Sequence, residues 1–165
     1  TLAVTNTEAA PLYVNVYRRG VPAAGVETPS SEGLAVEVRL RDMKMNAFDG
    51  ARITQGLDLV AEVRVKNLTP NPLKNLVLTH LVASGFQIKN PRFGGGAAPA
   101  VDYQDIRDDR VFTYFGLDAG QEKVFSVVLN ASYRGRYFQP GIAVEAMYDA
   151  GLHANTKGQW IEIIQ

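Results

Sequence analysis

The sequence predicts an all-β protein folded as an antiparallel β-sandwich. Apolar residues alternate with polar ones along several short segments, and clusters of turn-forming residues separate these segments. No segment shows three turns of helical periodicity, so helices that could cover a parallel sheet are not predicted. With 165 residues the chain has about the size of one domain, and we interpret residues 1–165 as a single domain.

The clearest strand is predicted between Leu57 and Lys66. Its apolar positions repeat every second residue and its charged positions fall between them, which is typical of a strand with one buried and one exposed face. The inward positions are predicted to be Leu57, Leu59, Ala61, Val63 and Val65, with Val60 as the exception.

Further strands follow the same rule. Segments 76–82 and 111–115 are apolar on both faces, which favours central strands, and segment 160–164 is predicted to pair into a sheet as the last strand. Glycine- and proline-rich stretches predict loops at 21–31 and 93–100. In chain order, the other predicted strands are 12–16 (apolar at Leu12, Val14 and Val16), 34–41 (Leu34, Val36, Val38 and Leu40), 125–133 (Phe125, Val127, Leu129, Ala131 and Tyr133) and 142–148 (Ile142, Val144, Ala146 and Tyr148).

Composition and charge exclude several functions. Lys plus Arg and Asp plus Glu both number 17, so zero net charge argues against a nucleic-acid binder with a basic face. The lack of Cys excludes thiol catalysis, thiolate metal sites and disulfides from these residues. No apolar run is long enough for a membrane-spanning helix, and no export signal is visible. Because the chain begins at Thr1 rather than Met, we interpret it as a fragment of a larger protein.

The two histidines do not predict a catalytic or metal site. His80 lies in phase with the apolar residues of segment 76–82, and His153 lies in a turn-rich stretch. Neither has a His or Glu at the spacing of a helix-borne metal site, and no Gly-x-Ser-x-Gly nucleophile motif occurs. We predict one packed and one exposed histidine, and no metal.

The acidic run Asp102–Asp109 is a second candidate. Its four carboxylates lie within eight residues and could hold Ca²⁺, which prefers six to eight oxygen ligands. However, their spacing differs from that of the calcium-loop motif, and Arg107 and Arg110 are interleaved with them. We therefore predict ion pairs within the run or an Asp that caps a turn, and leave calcium as the alternative.

Two short boxes give the chain a family resemblance. Residues 136–149, Arg-Tyr-Phe-Gln-Pro-Gly-Ile-Ala-Val-Glu-Ala-Met-Tyr-Asp, resemble the end of bacterial alpha-2-macroglobulins, where an aromatic and proline segment precedes a Val-Glu-x-Met-Tyr box and a short last strand. Residues 107–110, Arg-Asp-Asp-Arg, resemble another box of that family. Segment 55–60 is similar to its Gln-Gly-Asp strand opener with one inserted Leu, and segment 82–91 is similar to its Ala-Gly-Phe loop, with Ser84 in place of Ala and without the Pro. The resemblance covers residues 34–164.

The resemblance implies a C-terminal macroglobulin-like domain, a β-sandwich of the fibronectin or immunoglobulin type. It also implies a large parent protein in the periplasm or cell envelope that traps proteases after they cut a bait region elsewhere. The implied partners are other domains of the same chain, including a thioester-bearing domain if there is one, and target proteases through the full-length protein. Membrane attachment would come only from a lipid anchor elsewhere in the parent. We expect no enzymatic activity and no cofactor.

The resemblance also nominates two site residues. In family members with a thioester, a tyrosine of the last domain covers that bond and keeps water away, and this role would fall to Tyr137, with Phe138 as its rival. The alternative is that Tyr137 packs in the sandwich or caps its edge. The alternative function is a free-standing carbohydrate- or protein-binding β-sandwich, for which the aromatic cluster Tyr133–Phe138 and the acidic run are the candidate sites.

Overall fold

The computed structural model describes residues 2–17, 19–20, 23–89 and 101–165. Within these ranges the regular structure is entirely β, which confirms the predicted fold class, and none of these residues lies in a helix that could span a membrane. The strands are β1 (Ser30–Glu32), β2 (Leu34–Asp42), β3 (Arg52–Thr54), β4 (Asp58–Asn67), β5 (Leu73–Leu81), β6 (Phe86–Lys89), β7 (Tyr103–Ile106), β8 (Arg110–Leu117), β9 (Glu122–Ala131), β10 (Gly135–Gln139), β11 (Ala143–Ala146), β12 (Asp149–Asn155) and β13 (Gln159–Ile164).

The strands form three sheets. A large six-stranded sheet has the order β1-β12-β11-β5-β8-β7, and a four-stranded sheet has the order β2-β4-β9-β6. A small sheet has the order β10-β13-β3. All pairs are antiparallel except β13 with β3, which is parallel. The predicted antiparallel sandwich is therefore confirmed, with one parallel pair added at the small sheet.

Two apolar clusters fill the space between the sheets. The first takes residues from β3, β4, β6, β8, β9 and β13, and the second from β2, β4, β5, β8, β9, β11 and β12. Strands β4, β8 and β9 contribute to both clusters, so the two clusters share a common scaffold. Burial of this apolar surface is the main force that holds the layers together.

The long predicted strands are confirmed, with differences at their ends. Alternation in β4 buries Leu59, Ala61, Val63 and Val65, but Leu57 precedes the strand in a turn and is partly exposed. β2 lies at the edge of its sheet, so among its inward positions Leu34 is buried whereas Val38 remains partly exposed. The strand predicted at 125–133 ends at Ala131 and leaves Tyr133 exposed, and the one predicted at 142–148 ends at Ala146 and leaves Tyr148 exposed in a turn.

The predicted early strand at 12–16 is wrong. The structure shows no strand within the described residues 2–17, and Leu12, Val14 and Val16 are all exposed. Alternation alone does not make a strand, because a strand also needs a paired neighbour to bond its backbone groups. The loop predicted at 21–31 is shorter than expected, because β1 begins at Ser30. Residues 21 and 22 of this loop lie outside the described residues, and so does the whole loop predicted at 93–100.

The prediction for the last strand is confirmed. β13 pairs with β10 on one side, from Gly135 opposite Ile163 to Gln139 opposite Gln159, and with β3 on the other. Its residues Ile161 and Ile163 are buried in the first cluster. β13 is therefore the middle strand of the small sheet and attaches it to the sandwich.

Candidate docking face on the small sheet

The two nominated aromatic residues lie on opposite faces of one strand. Tyr137 and Phe138 are neighbours in β10, and successive side chains of a strand point to opposite sides. Tyr137 is opposite the buried Ile161, whereas Phe138 is opposite the exposed Trp160. Tyr137 therefore faces the core, and Phe138 faces outward.

The ring of Tyr137 closes one end of the first apolar cluster. It packs against that cluster and lies so close to Gly85 that a Cβ there would come within 2.5 Å of the ring. Its hydroxyl donates a hydrogen bond of 3.0 Å to the backbone carbonyl of Arg134. The absence of a side chain at Gly85 and at Gly135, where a Cβ would lie 3.0 Å from the ring, makes room for this position.

Phe138 contributes to an aromatic pair on the other face. Its ring meets that of Trp160 edge-on, with the centroids 5.5 Å apart, a favoured geometry for aromatic pairs. The ring also lies over Gly158, where an added Cβ would approach within 2.4 Å. This contact keeps Phe138 half-buried while Trp160 stays 47% exposed.

Charged groups surround the pair. The guanidinium carbon of Arg136 lies 4.6 Å from the centroid of the Trp160 ring, within the range of a cation–π interaction. Across the sheet, Arg52 Nε lies 3.3 Å from a carboxylate oxygen of Glu162. We call this outward surface of the small sheet the aromatic face, and it consists of Arg52, Arg136, Phe138, Trp160 and Glu162.

The side chain of Gln139 fixes the small sheet against the sandwich. Its amide nitrogen donates to the carbonyl of Leu81 at 2.7 Å, and its amide oxygen accepts from the backbone N–H of Ala83 at 2.9 Å. Leu81 is the last residue of β5 and Ala83 follows two residues later, so partly buried hydrogen bonds as well as packing set the orientation of the aromatic face.

Sequence reasoning did not single out Trp160, Arg136 or Arg52 as residues of one surface. The aromatic cluster predicted at 133–138 is divided: Tyr133 is exposed outside β10, where Gln87 Nε2 donates to its hydroxyl at 3.2 Å, and Tyr137 points inward. The sequence did contain a signal for an outward Trp160. The chain's one Trp is out of phase with Ile161 and Ile163 in the last strand, so it lies on the opposite face of that strand.

The acidic run forms a hairpin with internal ion pairs. Arg107 lies 2.9 Å from a carboxylate oxygen of Asp105, and Arg110 lies 2.6 Å from one of Asp109. The hydrogen bond from Arg110 lowers the pKa of Asp109 below its usual value. The predicted ion pairing is confirmed, and the described residues contain no group of three or more His, Cys, Asp or Glu that could hold a metal ion.

The two histidines lie on different strands of the large sheet. His80, on β5, is buried as predicted, and burial lowers its pKa to about 4. His153, on β12, is half-buried rather than exposed, and its Nδ1 lies 3.2 Å from the carbonyl oxygen of Ala150. Strand β11 separates the two strands, so the sheet does not bring the imidazoles together.

Comparison with known proteins shows which family shares this architecture. Residues 33–150, most of the chain, match the family model described as the bacterial alpha-2-macroglobulin MG10 domain. The chain belongs to this family. This confirms the resemblance seen in the Arg-Asp-Asp-Arg and Glu-Ala-Met-Tyr boxes. In the fold of this MG10 domain, the first box spans the β7–β8 hairpin, where the N–H of Arg107 donates to the carbonyl of Arg110, and the second ends β11 in a turn.

Individual relatives agree with the assignment. An alpha-2-macroglobulin homolog of Yersinia pestis is 22% identical over 179 residues, covering 93% of this chain and 9% of the relative. The chain thus spans about a tenth of that protein's length.

Solved structures show the same fold. Native alpha-2-macroglobulin of Escherichia coli from domain MG7 to the C-terminus matches 88% of this chain and 25% of that chain, with a TM-score of 0.80 at 18% identity. Salmonella alpha-2-macroglobulin reacted with methylamine matches 88% of this chain and 10% of that chain, with a TM-score of 0.78 at 18% identity.

Proposed function

We propose that this chain is a non-catalytic domain of a bacterial alpha-2-macroglobulin-like protease trap in the periplasm or cell envelope, where it docks on neighbouring domains of the same longer chain. Family membership supports the proposal, as does the small share of a relative's length that the domain spans. The Escherichia coli relative has been solved in forms activated by trypsin and by porcine elastase. The parent chain traps target proteases, and this domain helps to hold its uncleaved state.

The aromatic face is the observation that carries the docking role. Trp and Arg are enriched among the residues that contribute most to protein interfaces, and here Trp160 is half-exposed with Arg136 stacked on it. The packing of Phe138 and the bonds of Gln139 hold the face in place before any partner arrives. Such preorganisation reduces the entropy lost on binding.

The geometry supports different roles for the two nominated aromatics. Phe138 contacts the partner from the aromatic face. Tyr137 positions the strand, because its ring is packed on Gly85 and its hydroxyl is bonded within its own chain. If the parent carries a thioester in the neighbouring domain, Phe138 is the ring that shields it. An apolar ring that excludes water slows hydrolysis of such a bond.

Hydroxyl-radical footprinting tests the docking role. Trp160 should be oxidised readily in the isolated 165-residue chain and at least about tenfold more slowly in the uncleaved full-length protein, because a docked domain covers its exposed half. Protection should decrease after trypsin cuts the full-length protein. Tyr148 is the matched control, since it is 82% exposed in a turn outside the aromatic face. Equal oxidation of Trp160 in both proteins would contradict the proposal.

Methylamine reactivity of the full-length protein tests the shield. In a thioester-bearing parent, Phe138→Ala should raise the rate of reaction with methylamine at least about tenfold, because the ring no longer excludes the amine. Tyr137→Phe should leave the rate unchanged, because it removes only a hydroxyl bonded to Arg134. Thermal unfolding of both isolated variants controls for misfolding. The opposite pattern would assign the shield to Tyr137, and unchanged rates in both variants would remove the shield from this domain.

The alternative, a carbohydrate- or protein-binding module that acts alone, would use the same Trp160 ring. Arg136 lies over this ring and Phe138 packs beside it, so part of the aromatic surface that would stack on a sugar is already in contact with the domain itself. A glycan array with the isolated chain distinguishes the two, and specific capture of a glycan that is lost in Trp160→Ala would favour the alternative.

A further inference from the structure

The segment Leu12–Tyr17 has the composition of a strand but no strand neighbour. It reads Leu-Tyr-Val-Asn-Val-Tyr, is rich in β-branched and aromatic residues, and carries no charge. In the structure it is not a strand, and its large apolar side chains are exposed, from 49% at Val14 to 89% at Tyr13. Five exposed large apolar side chains in six consecutive residues form the kind of patch that marks an interaction site.

The exposed segment keeps the two-residue period of a strand. Leu12, Val14 and Val16 are 54%, 49% and 68% exposed, whereas Tyr13 and Tyr17 are 89% and 87% exposed. In an extended strand, where successive side chains point to opposite sides, the aliphatic side chains would share one side and the tyrosines the other. Pro11 precedes the segment and Arg18-Arg19-Gly20 follows it, which is consistent with a single strand of about the usual length, five to six residues.

No strand in the described part of the sandwich pairs with this segment. The first strand begins at Ser30, and the family model begins at residue 33, beyond the segment. The sandwich has edge strands of its own, β1 and β7 in the large sheet and β2 and β6 in the four-stranded sheet, yet the described part of the chain pairs none of them with residues 12–17.

We infer that residues 12–17 form a strand of a neighbouring β-domain in the longer parent chain, paired with a free edge of that domain's sheet. Leu12, Val14 and Val16 enter that domain's apolar core, and the backbone completes its ladder of hydrogen bonds, as in recognition by strand addition. The occupant is a neighbouring domain because the family domain starts after the segment and this chain spans about a tenth of its relative. The sandwich domain then extends from about residue 30, and residues 12–17 belong to its neighbour.

Hydrogen exchange in the full-length protein tests this pairing. Backbone amides of residues 12–17 should exchange at least about a hundredfold more slowly in the full-length protein than in the 165-residue chain, where the segment is unpaired. The inference rests on the proposed function only in that both require the longer parent chain. If the full-length protein protects the amides of residues 12–17 from exchange but does not protect Trp160 from oxidation, the docking face alone is overturned.

Two substitutions provide a matched pair. Val14→Asp places a charge in the neighbouring core and should lower the unfolding temperature of the full-length protein, while leaving that of the 165-residue chain unchanged. Val4→Asp, at a valine of similar exposure (52%) outside the segment, should change neither. Three results would overturn the inference: equally fast exchange in both proteins, destabilisation of the 165-residue chain by Val14→Asp, or protection in that chain that appears only with dimerisation.

Discussion

Asn67 shows how one buried polar side chain can organise two turns. It is fully buried at the end of β4, where its amide nitrogen donates to the carbonyls of Asn71 and Asp118 at 2.8 and 2.9 Å. Its amide oxygen accepts from the N–H and the hydroxyl of Thr69 at 2.9 and 2.8 Å. A buried amide with every bonding position used costs little to desolvate, and it holds the 67–72 and 118–121 turns in one arrangement.

His80, in contrast to Asn67, is buried with a ring nitrogen that has no hydrogen-bond partner in the described part of the chain. Its burial predicts that the stability of the fold depends on pH. It is buried in β5, its Nδ1 has no hydrogen-bond partner among the described residues, and burial lowers its pKa to about 4 from the ordinary 6.5. Between these values the unfolded chain binds a proton that the folded chain does not. Stability is therefore unaffected by His80 above about pH 6.5 and decreases as the pH falls toward 4, by up to about 3 kcal/mol.

Urea unfolding at a series of pH values measures this effect. His80→Leu should remove the part of the decrease that His80 causes between pH 6.5 and 4, because Leu cannot bind a proton. His153→Leu is the control, since His153 is half-buried on another strand. If both variants lose stability with pH as steeply as the parent, carboxylates rather than His80 cause the decrease.

At the scale of the element, the small sheet depends on β13. This strand supplies Ile161 and Ile163 to the first apolar cluster and bonds β10 and β3 on its two sides. A chain that ends at Lys157 leaves both neighbours as unpaired edges and removes two buried isoleucines, each costing several kcal/mol to truncate. It should aggregate or lose its cooperative unfolding transition, as measured by light scattering and calorimetry.

A deletion at the other end is the control for that truncation. Residues 2–17 contain no strand, and the 12–17 segment is exposed, so a chain that starts at Gly20 should keep the unfolding temperature of the parent chain. A monomeric chain ending at Lys157 with unchanged stability would show that β13 is dispensable.

The elements also show what sequence can predict. Strands of nine or ten residues, such as β2, β4 and β9, were predictable because several alternations with one buried face are hard to produce by chance. Strands of three to five residues, such as β3, β6 and β10, hold too few alternations to stand out. Segment 12–16 has the pattern but is unpaired, since pairing depends on residues far away in the sequence.

The candidate site was predictable only in part for the same reason. The resemblance nominated Tyr137 and Phe138 as rivals, but nothing local determines which ring faces the core. That choice is made by the register with β13, which places Tyr137 opposite Ile161 and Phe138 opposite Trp160. Arg136 joins Trp160 through the same distant pairing, so the aromatic face becomes visible only when the strands are assembled.

At the scale of the whole molecule, the two apolar clusters should unfold together. Strands β4, β8 and β9 contribute to both, so opening one cluster breaks strands that the other needs. The chain's one Trp, Trp160, lies on the small sheet beside the first cluster, whereas the far-ultraviolet circular dichroism signal reports on all strands. A two-state protein gives coincident transitions with both probes.

Leu117→Ala separates the cooperative case from independent unfolding. Leu117 is 2% exposed in the second cluster, and its truncation should cost about 2–5 kcal/mol. If the clusters are coupled, the urea midpoint of Trp160 fluorescence falls by the same amount as the midpoint of circular dichroism, although Leu117 belongs to the other cluster. Leu12→Ala, at an exposed residue, should move neither midpoint. A Trp160 midpoint that stays at the parent value while the circular dichroism midpoint falls would mean that the small sheet and the first cluster unfold as a separate unit.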